Sequence, residues 1–397
     1  MTSTRRGFLR SAGLSSLGAT AVGSGTILSE AGNAAAAATA PAGRAIVPFY
    51  GKHQAGIATP AQNDLQFAAL DVVGHSVADL RGLLRAWSRA AARMTRGELI
   101  GSVRTGNSPP KDTGEAIGLG PSDLTITFGF GPSLFGSAGH NRFGLAHRRP
   151  APLVNLPSFL GDDLRPGISG GDLCIQVCAN NQQVAFHAVH ELLRLATGIA
   201  RPRWLLAGAG RTANSRRQPL PRNLMGFQDG TANIMAEEAT ALEEFVWARE
   251  PSSPAWMRGG SYLVARRIEI ALGLWDSTGL ESQEQTIGRQ KVAGGVLAHV
   301  PPTAHILLTS PKHNHGQRLL RRGYNYTDGI EHGAGVPAAG LMFLCYQRDP
   351  RRQFIPIQRR IAGHDALSLY LRHVGSAIFA CPPGARPGGY VGESLLG

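Results

Sequence analysis

Several polar residues in this chain stand where their types and neighbours could do chemistry. Asp229 lies in Asn223-Leu224-Met225-Gly226-Phe227-Gln228-Asp229-Gly230-Thr231-Ala232-Asn233. Gly226 and Gly230 flank it, so the backbone can turn tightly and approach a flat ligand closely. The same residues would also suit an Asx turn, with Asp229 bonded to its own backbone ahead of a helix from Ala236 to Arg249. His305 sits in the apolar run Pro302-Thr303-Ala304-His305-Ile306-Leu307-Leu308, which is equally a place for a satisfied core histidine. Arg321 and Arg322 are adjacent, and a guanidinium can stabilise negative charge as it develops. Asp349 precedes Pro350, a pairing that also suits the start of a helix. His313 and His315 read as solvated loop histidines, too few in number for a metal site.

Tyr50-Gly51-Lys52-His53-Gln54-Ala55-Gly56-Ile57, Gly288-Arg289-Gln290-Lys291 and Gly340-Leu341-Met342-Phe343-Leu344-Cys345-Tyr346-Gln347 complete a pattern. With Gly226-x-x-Asp229-Gly230, the chain resembles the dye-decolourising (DyP-type) haem peroxidases from about Tyr50 to Cys381. Within them it is most similar to the exported branch that includes the deferrochelatase/peroxidases. The resemblance implies one haem b per chain, with His305 as proximal iron ligand. It implies Asp349 as the acid on that ring's other nitrogen, and Asp229 with Arg321 on the distal face, Arg321 counting also among the haem-binding residues. There a carboxylate moves a peroxide proton and a guanidinium stabilises the departing charge. Arg321 takes the role by its place in the motif, which leaves Arg322 as a surface or propionate charge. Gly323 stands where some branches carry asparagine, in keeping with the exported branch.

The implied reaction is peroxide-dependent oxidation of dyes or phenolic donors through a ferryl intermediate, with an acid optimum because the carboxylate must be ionised to accept a proton. Its partners are hydrogen peroxide and a small-molecule electron donor. Two rivals share the motifs. One is deferrochelation of haem for an iron-uptake system. The other is a non-catalytic haem carrier, which has no need of Asp229 and Arg321.

The elements that must position these residues fall into two similar halves. Phe67 to Val73, Leu124 to Phe130 and Leu173 to Cys178 read as strands, and Val77 to Met94 and Val184 to Ile199 as amphipathic helices. In the second half Tyr262 to Leu272 and Leu341 to Gln347 read as strands, Ala366 to Val374 as a helix, and Ala377 to Ala380 as a closing strand. Such segregation predicts an α+β fold, antiparallel sheets with helices packed on them. The resemblance makes the halves duplicated ferredoxin-like units of the dimeric α+β barrel type, with haem in the C-terminal half. Gly208 to Asn223, rich in Arg, Ser and Pro, divides them into domains at 41–215 and 216–397. Gly208-Ala209-Gly210-Arg211-Thr212-Ala213 imitates a dinucleotide fingerprint, but Ser215-Arg216-Arg217-Gln218-Pro219 follows it instead of a helix.

Composition narrows the classes further. Of 397 residues 43% are hydrophobic and 17% charged, so a core needs no disulfide support. Gly 51 and Pro 25 predict long loops without the excess of a low-complexity chain. The net charge of +13 is nearly all arginine, since Lys52, Lys111, Lys291 and Lys312 are the only lysines. The arginines are scattered in pairs, which speaks against a nucleic-acid surface. Cys174 and Cys178 share one strand too far apart to bridge, so the four cysteines are expected to be buried free thiols.

Residues 1–40 read as a leader. Arg5-Arg6 with Phe8-Leu9 precedes a mildly apolar run to Leu28 and small residues from Ala31 to Ala40, as in twin-arginine signals. The expectation is export by the twin-arginine translocase to a periplasmic, cell-envelope or extracellular location. The processed chain would be soluble, and the sequence leaves a homo-oligomer open.

Overall fold

The computed structural model describes residues 45–136, 141–330 and 335–397. The expected leader lies outside them.

The first half runs β1 (Asp64–Val72), α1 (Val77–Met94), β2 (Thr125–Phe130), β3 (Leu173–Ala179), α2 (Gln182–Leu195) and β4 (Ala200–Arg211). Its strands pair in the order β2-β3-β1-β4. That is the split βαβ arrangement of a ferredoxin-like unit. Helix α1 starts where the Ser76 hydroxyl accepts the Asp79 amide at 3.0 Å. Its Leu80, Leu83, Leu84, Trp87, Ala91 and Met94 fall at helical spacing and are buried. The Asn181 side chain caps α2 in the same way, accepting from Gln183 and Val184.

The second half repeats the plan with more inserted chain. After α3 (Ala239–Phe245) come β5 (Ser261–Ile270), α4 (Leu272–Asp276), α5 (Leu280–Ile287), α6 (His305–Leu308), β6 (Leu320–Arg321) and β7 (Tyr324–Ile330). Then follow β8 (Pro337–Gln347), α7 (Phe354–Ile361) and β9 (Leu371–Cys381). The order β7-β8-β5-β9 matches the first half strand for strand.

Two seams join the halves, β4 to β7 and β2 to β9, and close eight antiparallel strands into a ring. The second seam has one paired position, Phe130 with Ala380. Buried Gln54 strengthens it, donating to the carbonyls of Phe128 and Pro382, each at 2.9 Å, and accepting the Phe128 amide at 2.8 Å. A side-chain amide thus stands in for missing ladder bonds.

Period-two alternation sorts each strand between two cores. Leu173, Ile175 and Val177 of β3 join α1 and α2 in the outer core. Cys174 and Cys178 face the ring interior with Phe67, Trp204, Tyr324 and Tyr346. All four cysteines are free and buried.

Three expectations change. The helix expected over Ala366 to Val374 is a 3-10 turn, Ala366–Tyr370, followed by β9. Pairing with β5 across Ile270 to Leu371 overrides the local pattern. The expected boundary stretch begins inside β4, which carries Gly208 to Arg211 and pairs Asp64 with Ala209. The helix after Asp229 shortens to α3.

His373 of β9 gives the fold a pH signature. Burial, followed by the Arg266 guanidinium, pushes its pKa from 6.5 down to about 4, with Asp162 opposing. The unfolded chain therefore binds the proton more readily, and stability is lost as pH falls from 6.5 to about 4. The ceiling for this loss is about 3 kcal/mol. His373→Gln is expected to flatten the urea midpoint across that window; an unchanged slope would dissociate the ring from acid lability.

Candidate active site

The turn that carries Asp229 is held by its own chain. Asn223 Oδ1 accepts the amides of Met225 and Phe227, both at 3.1 Å. Gly226 and Gly230 adopt φ +85° and +98°, where side chains are strained. A Cβ on Gly230 would stand 2.6 Å from the Ala213 carbonyl oxygen, so only glycine permits this approach to the end of β4. The result is a half-buried carboxylate that does not bond its own backbone. Asp229 Oδ1 accepts Arg321 Nη1 at 2.8 Å, and Oδ2 accepts the Thr212 hydroxyl at 3.0 Å. The Asx-turn alternative is set aside.

Strand alternation explains why Arg321 rather than Arg322 meets Asp229. Leu320 points into the ring interior, Arg321 to the opposite face beside Cys345, and Arg322 back inside. Arg322 is fully buried and donates to the Thr59 carbonyl and Gln62 side chain, so it is neither a surface nor a propionate charge. Buried Asn233 clamps β6. Its Oδ1 accepts the Arg321 amide and its Nδ2 donates to the Arg321 carbonyl, both at 2.8 Å.

His305 opens α6. Its Nδ1 lies 2.6 Å from Asp365 Oδ2, and Asp365 also accepts the Leu367 amide at 2.9 Å. The Ala366 amide donates to the Thr303 carbonyl, fastening the two segments together. Asp349 does not partner His305. It pairs with Arg351, Nε to Oδ1 at 3.0 Å and Nη2 to Oδ2 at 2.7 Å, and accepts the Arg351 amide. The expected Asp349 role therefore passes to Asp365. The physical reason is local: a neighbouring arginine fork and the turn after β8 already occupy both Asp349 oxygens.

These groups share scaffolding. Met225 and Phe227 of the Asp229 turn, Leu367 and Tyr370 beside Asp365, and Ile306 beside His305 pack into one small core with Trp275. The Gly288-Arg289-Gln290-Lys291 stretch begins a loop touching both segments. Gly288 lies against Ile306, and the Lys291 carbonyl accepts Arg222 from the Asp229 turn.

The donor chemistry suits an axial histidine. With Nδ1 committed to a carboxylate, His305 Nε2 has no hydrogen-bond partner among the described residues, and 34% of the side chain is exposed to receive a ligand. A carboxylate behind the ring fixes the tautomer and raises its basicity. Asp229 and Arg321 keep 14% and 30% exposure, enough to reach a small substrate.

Comparison with known proteins gives the family. The models for the Dyp-type peroxidase N-terminal and C-terminal regions match residues 54–209 and 220–386. The chain belongs to the Dyp-type peroxidase family. It is 35% identical to the Deferrochelatase of Escherichia coli (strain K12) over 373 residues, covering 88% of this chain and 87% of that protein. The DyP-type peroxidase structure from Streptomyces coelicolor aligns with TM-score 0.81 and 40% identity, covering 89% of this chain and 98% of that one. Ferric DtpA from Streptomyces lividans aligns at 0.80, with the same identity and coverage. The chain is thus a peroxidase-family enzyme, with peroxide and an electron donor as its class of substrates.

Thr212, Asn233 and Asp365 were not among the residues expected at the site. Asn233 lay in the stretch around Asp229. Asp365 directly preceded an expected helix, the place of a capping aspartate. Thr212 carried no signal.

Proposed function

We propose that this chain is a haem peroxidase in which His305 holds the iron and Asp229 with Arg321 acts on peroxide. The observation that carries the reading is His305, backed by Asp365 at 2.6 Å, with Nε2 unpartnered among the described residues. Haem would supply an iron centre at which peroxide is bound and cleaved. Asp229, positioned by hydrogen bonds from Arg321 and Thr212, takes the proton from the incoming oxygen and returns it to the departing one. Arg321 offers a fixed cation to the negative charge that develops, and Asn233 keeps its backbone in place. A mildly acid optimum belongs to this proposal.

The donor is proposed to be a dye or phenolic compound. Domains at 41–215 and 216–397, and export of the folded chain by the twin-arginine translocase, are proposed with it. An absorption spectrum before and after one equivalent of peroxide tests the reading. A Soret band that shifts and returns on adding a phenolic donor is expected; a protein with no Soret band would overturn it.

The Escherichia coli relatives' name favours one second reading, release of iron from haem toward an iron-uptake system. Incubation with haem and no peroxide would then yield metal-free protoporphyrin fluorescence.

A further inference from the structure

Helix α2 buries two residues that an amphipathic face does not ordinarily bury. His187 and Glu191, one turn apart, are 2% and 0% exposed, and Asp112 from the loop before β2 meets them at 0%. One donor atom from each lies within 4.8 Å of the others.

The histidine is already oriented. His187 Nδ1 lies 2.8 Å from Glu115 Oε2, and His190 Nδ1 lies 2.8 Å from Glu115 Oε1. Glu115 thus holds His187 through Nδ1, and the other ring nitrogen, Nε2, faces Asp112. That Nε2 is buried and, among the described residues, has no hydrogen-bond partner. Opposite it, at 3.6 Å, stands Asp112 Oδ2. The gap is too long for a hydrogen bond. It matches two ligands on one ion, since donors about 2.0–2.2 Å from a tetrahedral metal stand roughly 3.3–3.6 Å apart.

Charge and lone pairs agree. Asp112, Glu115 and Glu191 bring three negative charges, and Arg194 brings one positive, pairing with both Glu191 oxygens at 2.7 Å. A divalent cation balances the remainder. Among the described residues, Asp112 Oδ2 accepts only the Ile100 amide and Glu191 Oε2 only Arg194, so each keeps acceptor capacity.

We propose that Asp112, His187 and Glu191 form a structural site for a first-row divalent cation, with Glu115 orienting His187 from behind. One imidazole and two carboxylates suit Zn²⁺ or Mn²⁺. The ion would pin the long loop before β2 to α2, in the half of the chain that does not carry His305.

The test uses the full chain, stripped with a chelator, dialysed and titrated with zinc chloride, with bound metal measured by elemental analysis. One zinc per chain is expected, with a zinc-dependent rise in Tm. Asp112→Asn and Glu191→Gln should each weaken zinc binding at least about tenfold, and Glu115→Gln by about 10–100-fold while keeping all three ligands. A His313→Gln/His315→Gln variant should bind as the parent does. Zinc absorption-edge spectra should show nitrogen and oxygen donors and no sulfur. No stoichiometric zinc, or equal affinity in all three site variants, would overturn the proposal. If Asp112→Asn or Glu191→Gln fails to fold by circular dichroism, Glu115→Gln decides: unchanged affinity there overturns it.

Discussion

Replacing His305 by alanine is expected to give a folded protein that retains only a small fraction of its haem. The His305 Nε2 lone pair is the site's proposed bond to iron, and α6 is a four-residue helix at the edge of a small core, so the fold loses little. The contrast between two aspartates sharpens this. Asp365→Asn keeps the shape of the side chain but removes the negative charge behind Nδ1, and should lower haem affinity by about 10–100-fold. Asp349→Asn should leave haem binding unchanged. It breaks the pairing with Arg351 and costs stability instead, by about 1–3 kcal/mol. Haem occupancy from the Soret-to-protein absorbance ratio, read beside the urea midpoint, separates the effects. Full occupancy in His305→Ala would remove the proximal assignment. Equal effects of the two aspartate changes would mean that the bond from His305 to Asp365 has no bearing on the iron.

The same pair shows how far the residues themselves could carry the reading. Helix α1 coincides with its expected span because both of its determinants are local, an apolar stripe and a serine cap. Strand β3 was visible for the same reason. Strands β4 and β7 were not, because Gly208, Gly210 and Asp328 weaken local β preference and only partner strands define them. His305, Asp229 and Arg321 stood in recognisable motifs, whereas the partner of His305 is set 60 residues away by how α6 meets the turn before β9. Motif order pointed to Asp349; packing brought Asp365. Likewise, adjacent arginines look equivalent in a string of letters, yet the pleat of β6 sends one to Asp229 and hides the other within the ring.

Asp229→Asn and Arg321→Leu are expected to retain haem and to slow the reaction with peroxide. The motive is geometric. Peroxide cleavage needs a proton acceptor and a charge stabiliser, and these two groups stand 2.8 Å apart with Thr212 on the remaining carboxylate oxygen. Loss of general acid–base help costs about 10²–10⁴-fold. Loss of a charge stabiliser costs about 10²–10³-fold. Since Arg321 Nη1 is also what holds the Asp229 carboxylate in place, removing the arginine misplaces the base as well. The double variant should therefore cost less than the product of the single effects. Thr212→Val, which leaves the ion pair but removes the second hydrogen bond, should fall between wild type and Asp229→Asn. The measurement is the bimolecular rate constant for peroxide, followed in the Soret band between pH 4 and 7. Wild-type rates in both single variants across that range would make the pair a structural tie between the Gly226–Gly230 turn and β6. Slowing in Arg321→Leu alone would leave the charge stabiliser in place and send the proton through another group.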